Sequence, residues 1–166
     1  MIENKTLSLF KHDQPIYQND LINWLDKNTK ITCKEIVIKG KASINQEAHP
    51  FFKEFLDLIL DYRPDCKIIL YTNALIFQPL IDMMNLKDKA EIVIDLPAYN
   101  KFLYKKIVGN DNYFDKIVQN IKSLKAYSEH NQIKCHIKII SHFFGDIEQA
   151  CFRKQMLDLV DEFDYL

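Results

Sequence analysis

Apolar runs of strand length alternate with helical patterns along the whole chain. "TLSLF" (6–10) predicts a first strand, and "NDLINWLDKN" (19–28) a helix with Leu21, Ile22, Trp24 and Leu25 at helical spacing. Asn19 or Asp20 can accept the free amide hydrogens of its first turn. "EIVIKG" (35–40) is the second strand. In the helix after it Phe51, Phe52, Phe55, Leu56 and Ile59 form one stripe, with Pro50 at the first helical position and an end near "RPD" (63–65). "KIILYTNA" (67–74) is the third strand, "IFQPLIDMMN" (76–85) holds a helix that Pro79 starts or interrupts, and "AEIVIDLPA" (90–98) is the fourth strand. A helix over 112–131 repeats Phe114, Ile117, Val118, Ile121 and Leu124, and "IKCHIKIIS" (133–141) is the fifth strand. A last helix, about 146–163, directs Ile147, Ala150, Met156, Val160 and Phe163 to the core. Such alternation predicts parallel βα units in one α/β domain over 1–166.

The strands themselves alternate. Glu35, Val37 and Lys39 oppose Ile36 and Ile38; Glu91, Val93 and Asp95 oppose Ile92, Ile94 and Leu96; Lys134, His136 and Lys138 oppose Ile133, Cys135, Ile137 and Ile139. Strands covered on both faces read instead as continuous apolar runs. Helices are therefore expected on the isoleucine side, leaving a polar concave face. A closed eight-stranded barrel takes about 250 residues. The expected fold is a partial, open barrel of about five to six parallel strands, in preference to a doubly wound sheet.

At 166 residues the chain can bury about 70 % of its unfolded surface, enough for one core without staples. Lys plus Arg at 22 against Asp plus Glu at 23 leaves no global field for phosphate backbones, so nucleic acid is not an expected partner. The start lacks a basic region followed by an apolar stretch, and no run approaches about 18 apolar residues. A soluble, cytoplasmic protein with no membrane association is expected. Cys33, Cys66, Cys135 and Cys151 form no C-x-x-C pair and read as free thiols packed as small hydrophobes.

Over residues 35–141 the order of features resembles the S-adenosylmethionine radical enzymes, which are built on a partial βα barrel. "EIVIKGKASINQEAHPFFKEFLDLIL" (35–60) resembles the family's second strand, its Gly-Gly-Glu-Pro turn and its "HP-x-F" helix. "IILYTNA" (68–74) is similar to its third strand ending in Thr-Asn-Gly, and residues 93–124 to its fourth strand, the segment ending "Tyr...Ile-x-Gly" and the following helix. The resemblance implies S-adenosylmethionine and a 4Fe-4S cluster, the latter held by a C-x3-C-x2-C loop after the first strand. "KHDQPIYQND" (11–20) contains no cysteine, and of the glycine turn only Gly40 remains, with Lys41 and Ala42 in place of the second glycine and the glutamate. Lysine cannot accept a hydrogen bond from an ammonium. No cofactor is therefore expected, and the turn reads as a site whose scaffold persists without its chemistry.

Ligands of parallel sheets bind beyond the carboxyl ends of the strands. Gly40, Lys41, Tyr71, Thr72, Asn73, Asp95, Ser141 and His142 fall there, and the first reading of several of them is as caps or turn formers. The charges Glu35, Lys39, Glu91, Asp95, Lys134, His136 and Lys138 either pair with one another or leave Lys134, His136 and Lys138 as a cationic strip for a small anionic ligand or an acidic segment. Asp95 beside His136 would make a general acid. The five histidines are scattered and read as surface or packing residues, and no catalytic triad spacing is recognised. The open sheet edges invite a protein partner or a second copy. The acidic tail "DEFDYL" (161–166) reads as a frayed end or as a docking segment. The expected function is a non-catalytic binding or regulatory module; the alternative is a related enzyme, or a subunit whose cluster comes from elsewhere.

Overall fold

Among the described residues six parallel strands form one sheet, and the chain visits them in order. The computed structural model describes residues 3–11, 14–29, 33–40, 46–133, 135–141, 145–156 and 160–165. The strands are β1 (Glu3–Leu7), β2 (Cys33–Ile38), β3 (Lys67–Thr72), β4 (Ala90–Asp95), β5 (His136–Ser141) and β6 (Glu162–Tyr165). Between them run α1 (Gln18–Asn28), α2 (Phe52–Tyr62), α3 (Phe77–Met84), α4 (Lys101–Val108), α5 (Phe114–Asn131) and α6 (Asp146–Met156).

This order decides the layering. Parallel crossovers are right-handed, so strands laid down one after another in a single direction carry their helices on one face. Burial agrees: Ile36, Ile38, Ile68, Leu70, Ile92, Ile94, Ile137 and Ile139 are all closed off from solvent, while Glu35, Val37, Lys67, Ile69, Tyr71, Glu91, His136 and Lys138 are half-buried on the other face. Val93 and Ile140 are buried on that second face as well. The expected isoleucine side is thus the helix-covered side of an open sheet.

Several boundaries differ from expectation. The first strand is Glu3–Leu7, not 6–10, because Ser8 Oγ donates to the Phe10 carbonyl and Phe10–Lys11 pairs antiparallel with Gln14–Pro15. The second begins at Cys33 and stops before Gly40. Pro50 precedes α2, whose first helical residue is Phe52, and Phe51 is exposed. Pro79 lies in the first turn of α3, so it helps start that helix and does not interrupt it. The third and fourth strands end early, at Thr72 and Asp95. Ile133 and Cys135 precede β5, because the Ile133 N–H donates to the Ser128 carbonyl and closes α5.

Helix α4 has no counterpart in the expected elements. Its signals are local: Asn100 Oδ1 accepts the Leu103 N–H at 2.8 Å, and Gly109, at φ +88°, ends it in the left-handed region that a side chain resists. The Gly109 of the "Ile-x-Gly" segment is therefore a helix cap.

The chain's end is corrected most. Among the described residues α6 covers Asp146–Met156, Val160 and Asp161 are not helical, and residues 162–165 form a sixth strand in place of a frayed end. Asp161 lays the tail down: its N–H donates to the Ile137 carbonyl at 2.9 Å, and its Oδ2 accepts the Ile137 N–H at 2.8 Å. Phe152 and Met156 set the buried stripe of α6. At about 100° per residue, Ile147 and Ala150 lie well off that stripe, and both are exposed.

Candidate functional site

Beyond the carboxyl ends of β1, β2 and β3 lies a cluster of buried polar side chains. A 3-10 turn, Gln46–Ala48, inserts Gln46 and Glu47, each 1 % exposed. Gln46 Oε1 accepts the N–H of Leu9 at 2.5 Å and lies 3.3 Å from the Ser8 hydroxyl oxygen, so this side chain replaces the strand partner that Leu9 lost when β1 ended. Its amide lies against the Gly40 Cα: a Cβ at Gly40 would stand 2.0 Å from Gln46 Nε2. Gly40 is required by this close approach.

Glu47 Oε1 accepts the hydroxyl proton of Thr72, whose oxygen in turn accepts the Ala74 N–H at 2.8 Å. The other carboxyl oxygen, Oε2, is buried without a hydrogen-bond partner among the described residues. Burial drives the Glu47 pKa up from 4.5, and the Thr72 bond offsets this in part. The Glu47 carboxyl, inside the carboxyl end of the sheet, therefore holds its proton to higher pH than an exposed glutamate does.

Around this cluster the turns are self-satisfied. Asn73 Oδ1 accepts the Leu75 N–H at 3.0 Å, and Ala74 sits at φ +58°. Asn120 of α5 donates from Nδ2 to the carbonyls of Ala74 at 2.8 Å and Leu75 at 3.1 Å, tying the helix to the turn after β3. Asn120→Ala is expected to lower stability by about 1 kcal/mol, because the buried Ala74 carbonyl and the half-buried Leu75 carbonyl lose their donor. Urea unfolding measures this, and an unchanged midpoint would show the turn to be held without Asn120. His49 is a packing residue, as expected for the scattered histidines: Nε2 donates to the Ile16 carbonyl at 2.9 Å and Nδ1 accepts the Phe51 N–H at 3.2 Å. These partners fix the neutral ring between Phe10 and Phe55, and burial pushes its pKa below 6.5.

Of the residues singled out in the sequence, Gly40, Tyr71, Thr72 and Asn73 gather at this end. The Lys39 ammonium stands 4.5 Å over the Tyr71 ring, a cation on the open face near the cluster. Asp95 is exposed at the end of β4, where its charge helps raise the pKa of buried Tyr104, and Ser141 is buried at the end of β5. Lys41, Lys134 and His142 lie outside the described residues.

His136 and Lys138 do not belong to this cluster. His136 is level with Glu91 at the amino end of β4, whereas Asp95 pairs with Ile140, so the two are not placed side by side as a His136–Asp95 acid would need. The charges pair across the open face. Lys67 Nζ meets Glu91 Oε2 at 2.5 Å, His136 lies 3.6 Å from both Glu91 and Glu162, and Lys138 meets Glu162 at 3.1 Å. Carboxylates thus alternate with the cations of the expected strip. A cavity of about 410 Å³ opens beside it, at the amino ends of the strands, lined by Lys67, Asp88, Cys135 and His136 among others. A second, about 530 Å³, lies between the start of α1 and α2, flanked by exposed Tyr17 and Phe51.

Gln46 and Glu47 escaped the sequence reading. The signal that points to them is Gly40 itself, a lone glycine closing a strand where another side chain must come close. Among the described residues no cluster of three or more metal-type ligands occurs, and no helix is long and apolar enough to cross a membrane. No family model matches the chain, and no curated protein matches it.

Proposed function

We propose that the chain is a non-catalytic binding module on a partial βα barrel related to that of the S-adenosylmethionine radical enzymes, taking a small anionic ligand at the carboxyl ends of β1–β3. One observation carries this reading: in a sheet wound in one direction, the turn after β2 delivers Gln46 and Glu47 into the end of the sheet where ligands of such folds bind. Lys39 over Tyr71 adds a cation at the same end, and burial of Val93 and Ile140 on the uncovered face fits a concave sheet.

The donors at this end are a poor match for a cluster. Iron–sulfur iron takes thiolates, whereas Gln46, Glu47 and Thr72 offer amide, carboxyl and hydroxyl oxygens. Cys33, Cys66 and Cys135 stand at the amino ends of β2, β3 and β5, across the sheet from them. A related enzyme is the second reading, favoured by the raised pKa of Glu47, since a carboxyl that keeps its proton can act as a general acid. The groove beside Tyr17 and Phe51 supports a protein partner as an additional ligand.

Anaerobic reconstitution with iron and sulfide, read by the visible spectrum, and calorimetry with S-adenosylmethionine test this. The expected result is neither a charge-transfer band nor saturable heat. A stable cluster or saturable binding of S-adenosylmethionine would overturn the binding-module reading in favour of the enzyme.

A further inference from the structure

At the opposite end of the sheet, two cysteines that the function above does not use come together. Cys33 opens β2 and Cys66 immediately precedes β3, its neighbour. The β1–β2 register slips by one between Glu3 and Asn4, pairing Glu3 with Cys33 and Asn4 with Glu35, so Lys34 is an extra residue in β2. A bulge of this kind bends the strand and re-aims a side chain. Cys33 therefore leaves the open face of Glu35 and Val37 and turns toward the helix-covered face. There Cys66, 2 % exposed, belongs to the core, and half-buried Cys33 packs against that core.

Counting back one residue from the Glu35–Lys67 pair sets Cys66 level with Lys34, the residue that follows Cys33. Neighbouring strands lie about 4.8 Å apart, within the Cα separations that disulfides bridge. Both are free thiols. Burial is the main force that pushes the Cys66 thiol up to about 12, and the neighbouring Cys33 thiol adds to it.

We propose that Cys33 and Cys66 are an oxidative modification site, closed by a hydroperoxide into a reversible disulfide that joins the amino ends of β2 and β3. The exposures assign the order of events. Cys33, the more accessible, reacts first: its sulfur takes the terminal oxygen of hydrogen peroxide, the O–O bond breaks, and water leaves, giving a sulfenic acid. The Cys66 sulfur then attacks the sulfenic sulfur. The S–S bond forms, the S–O bond breaks, and the Cys66 proton leaves with the hydroxyl as a second water. Two thiols have then lost two electrons and two protons to one peroxide. Buried Cys66 is shielded from the peroxide itself, so it acts second, giving up its proton as it attacks the sulfenic sulfur. A thiol reductant reverses the closure by exchange. In a reducing compartment such a bond is transient, as redox-sensing disulfides are.

The full-length reduced chain, given one equivalent of hydrogen peroxide, alkylated in denaturant and mapped without reduction, reports the pairing. The expected product is one linked peptide pair, Cys33 to Cys66, lighter by two hydrogens and lost after dithiothreitol. Cys151→Ala is expected to leave it unchanged, and Cys33→Ala, at the half-buried partner, to remove it. Recovery of both as alkylated thiols, over-oxidation of Cys33 without a link, or linkage of Cys33 to Cys135, to Cys151 or to a second chain would each overturn the proposal.

Discussion

Gly40→Ala is expected to destabilise the protein by about 3 kcal/mol, the sum of overpacking and one orphaned buried amide. The added Cβ would meet Gln46 Nε2 at 2.0 Å and Cδ at 2.6 Å. The far end of a long side chain ordinarily swings away at little cost. Gln46 cannot, because it is 1 % exposed and its Oε1 holds the Leu9 N–H. Displacing it leaves that amide without an acceptor just beyond β1. Urea unfolding of the single variant measures the loss, and a double-mutant cycle with Gln46→Ala identifies its origin. With the long side chain gone the collision is gone too, so Gly40→Ala should then cost little. An equal cost in both backgrounds would mean that Gly40 is needed for its backbone and not for its contact with Gln46.

The same contact shows how far the sequence could be read. Strands β2, β4 and β5 were legible because β-branched residues alternate with charges, an alternation that reports a sheet with one covered face, and β3 was legible as a short apolar run. α5 was legible because Phe114, Ile117, Ile121 and Leu124 repeat at helical spacing and are all buried. Three things were not. α4 is eight residues long, too short for periodicity to speak, and its Asn100 and Gly109 caps carry the signal instead. β6 exists because Asp161 bonds Ile137 on both sides, a long-range interaction that a window of local sequence does not contain. Gln46 and Glu47 lie in a polar stretch that any hydropathy pattern assigns to solvent. Their burial follows from Leu9 and Thr72, the first far from them in sequence and both brought close only by the sheet. The cations of β5 were legible as residues but not as a site, since their carboxylate partners come from β4 and β6.

Glu47→Gln is expected to raise stability at neutral pH by about 2 kcal/mol and to flatten its pH dependence. The carboxyl binds its proton more tightly in the folded chain than in the unfolded one, chiefly because burial penalises the charge. The contribution of Glu47 to stability is therefore full below the unfolded value near 4.5, and it falls as pH rises from there through the folded pKa. Above that, the folded chain carries a buried carboxylate with one oxygen unpartnered among the described residues. Glutamine keeps an oxygen for the Thr72 hydroxyl and has no charge to bury. His49 works in the opposite direction: burial lowers its pKa, so its contribution is full above the unfolded value near 6.5 and is lost as pH falls from there through the folded pKa. Stability measured from pH 4 to 8 should thus show, in the variant, the acid-side fall from His49 without the decline on the alkaline side of 4.5 due to Glu47. Parallel curves for the two proteins would mean that Glu47 finds a partner for its second oxygen. In that case the carboxyl would be an ordinary paired group, and the enzyme reading would lose the acid on which it depends.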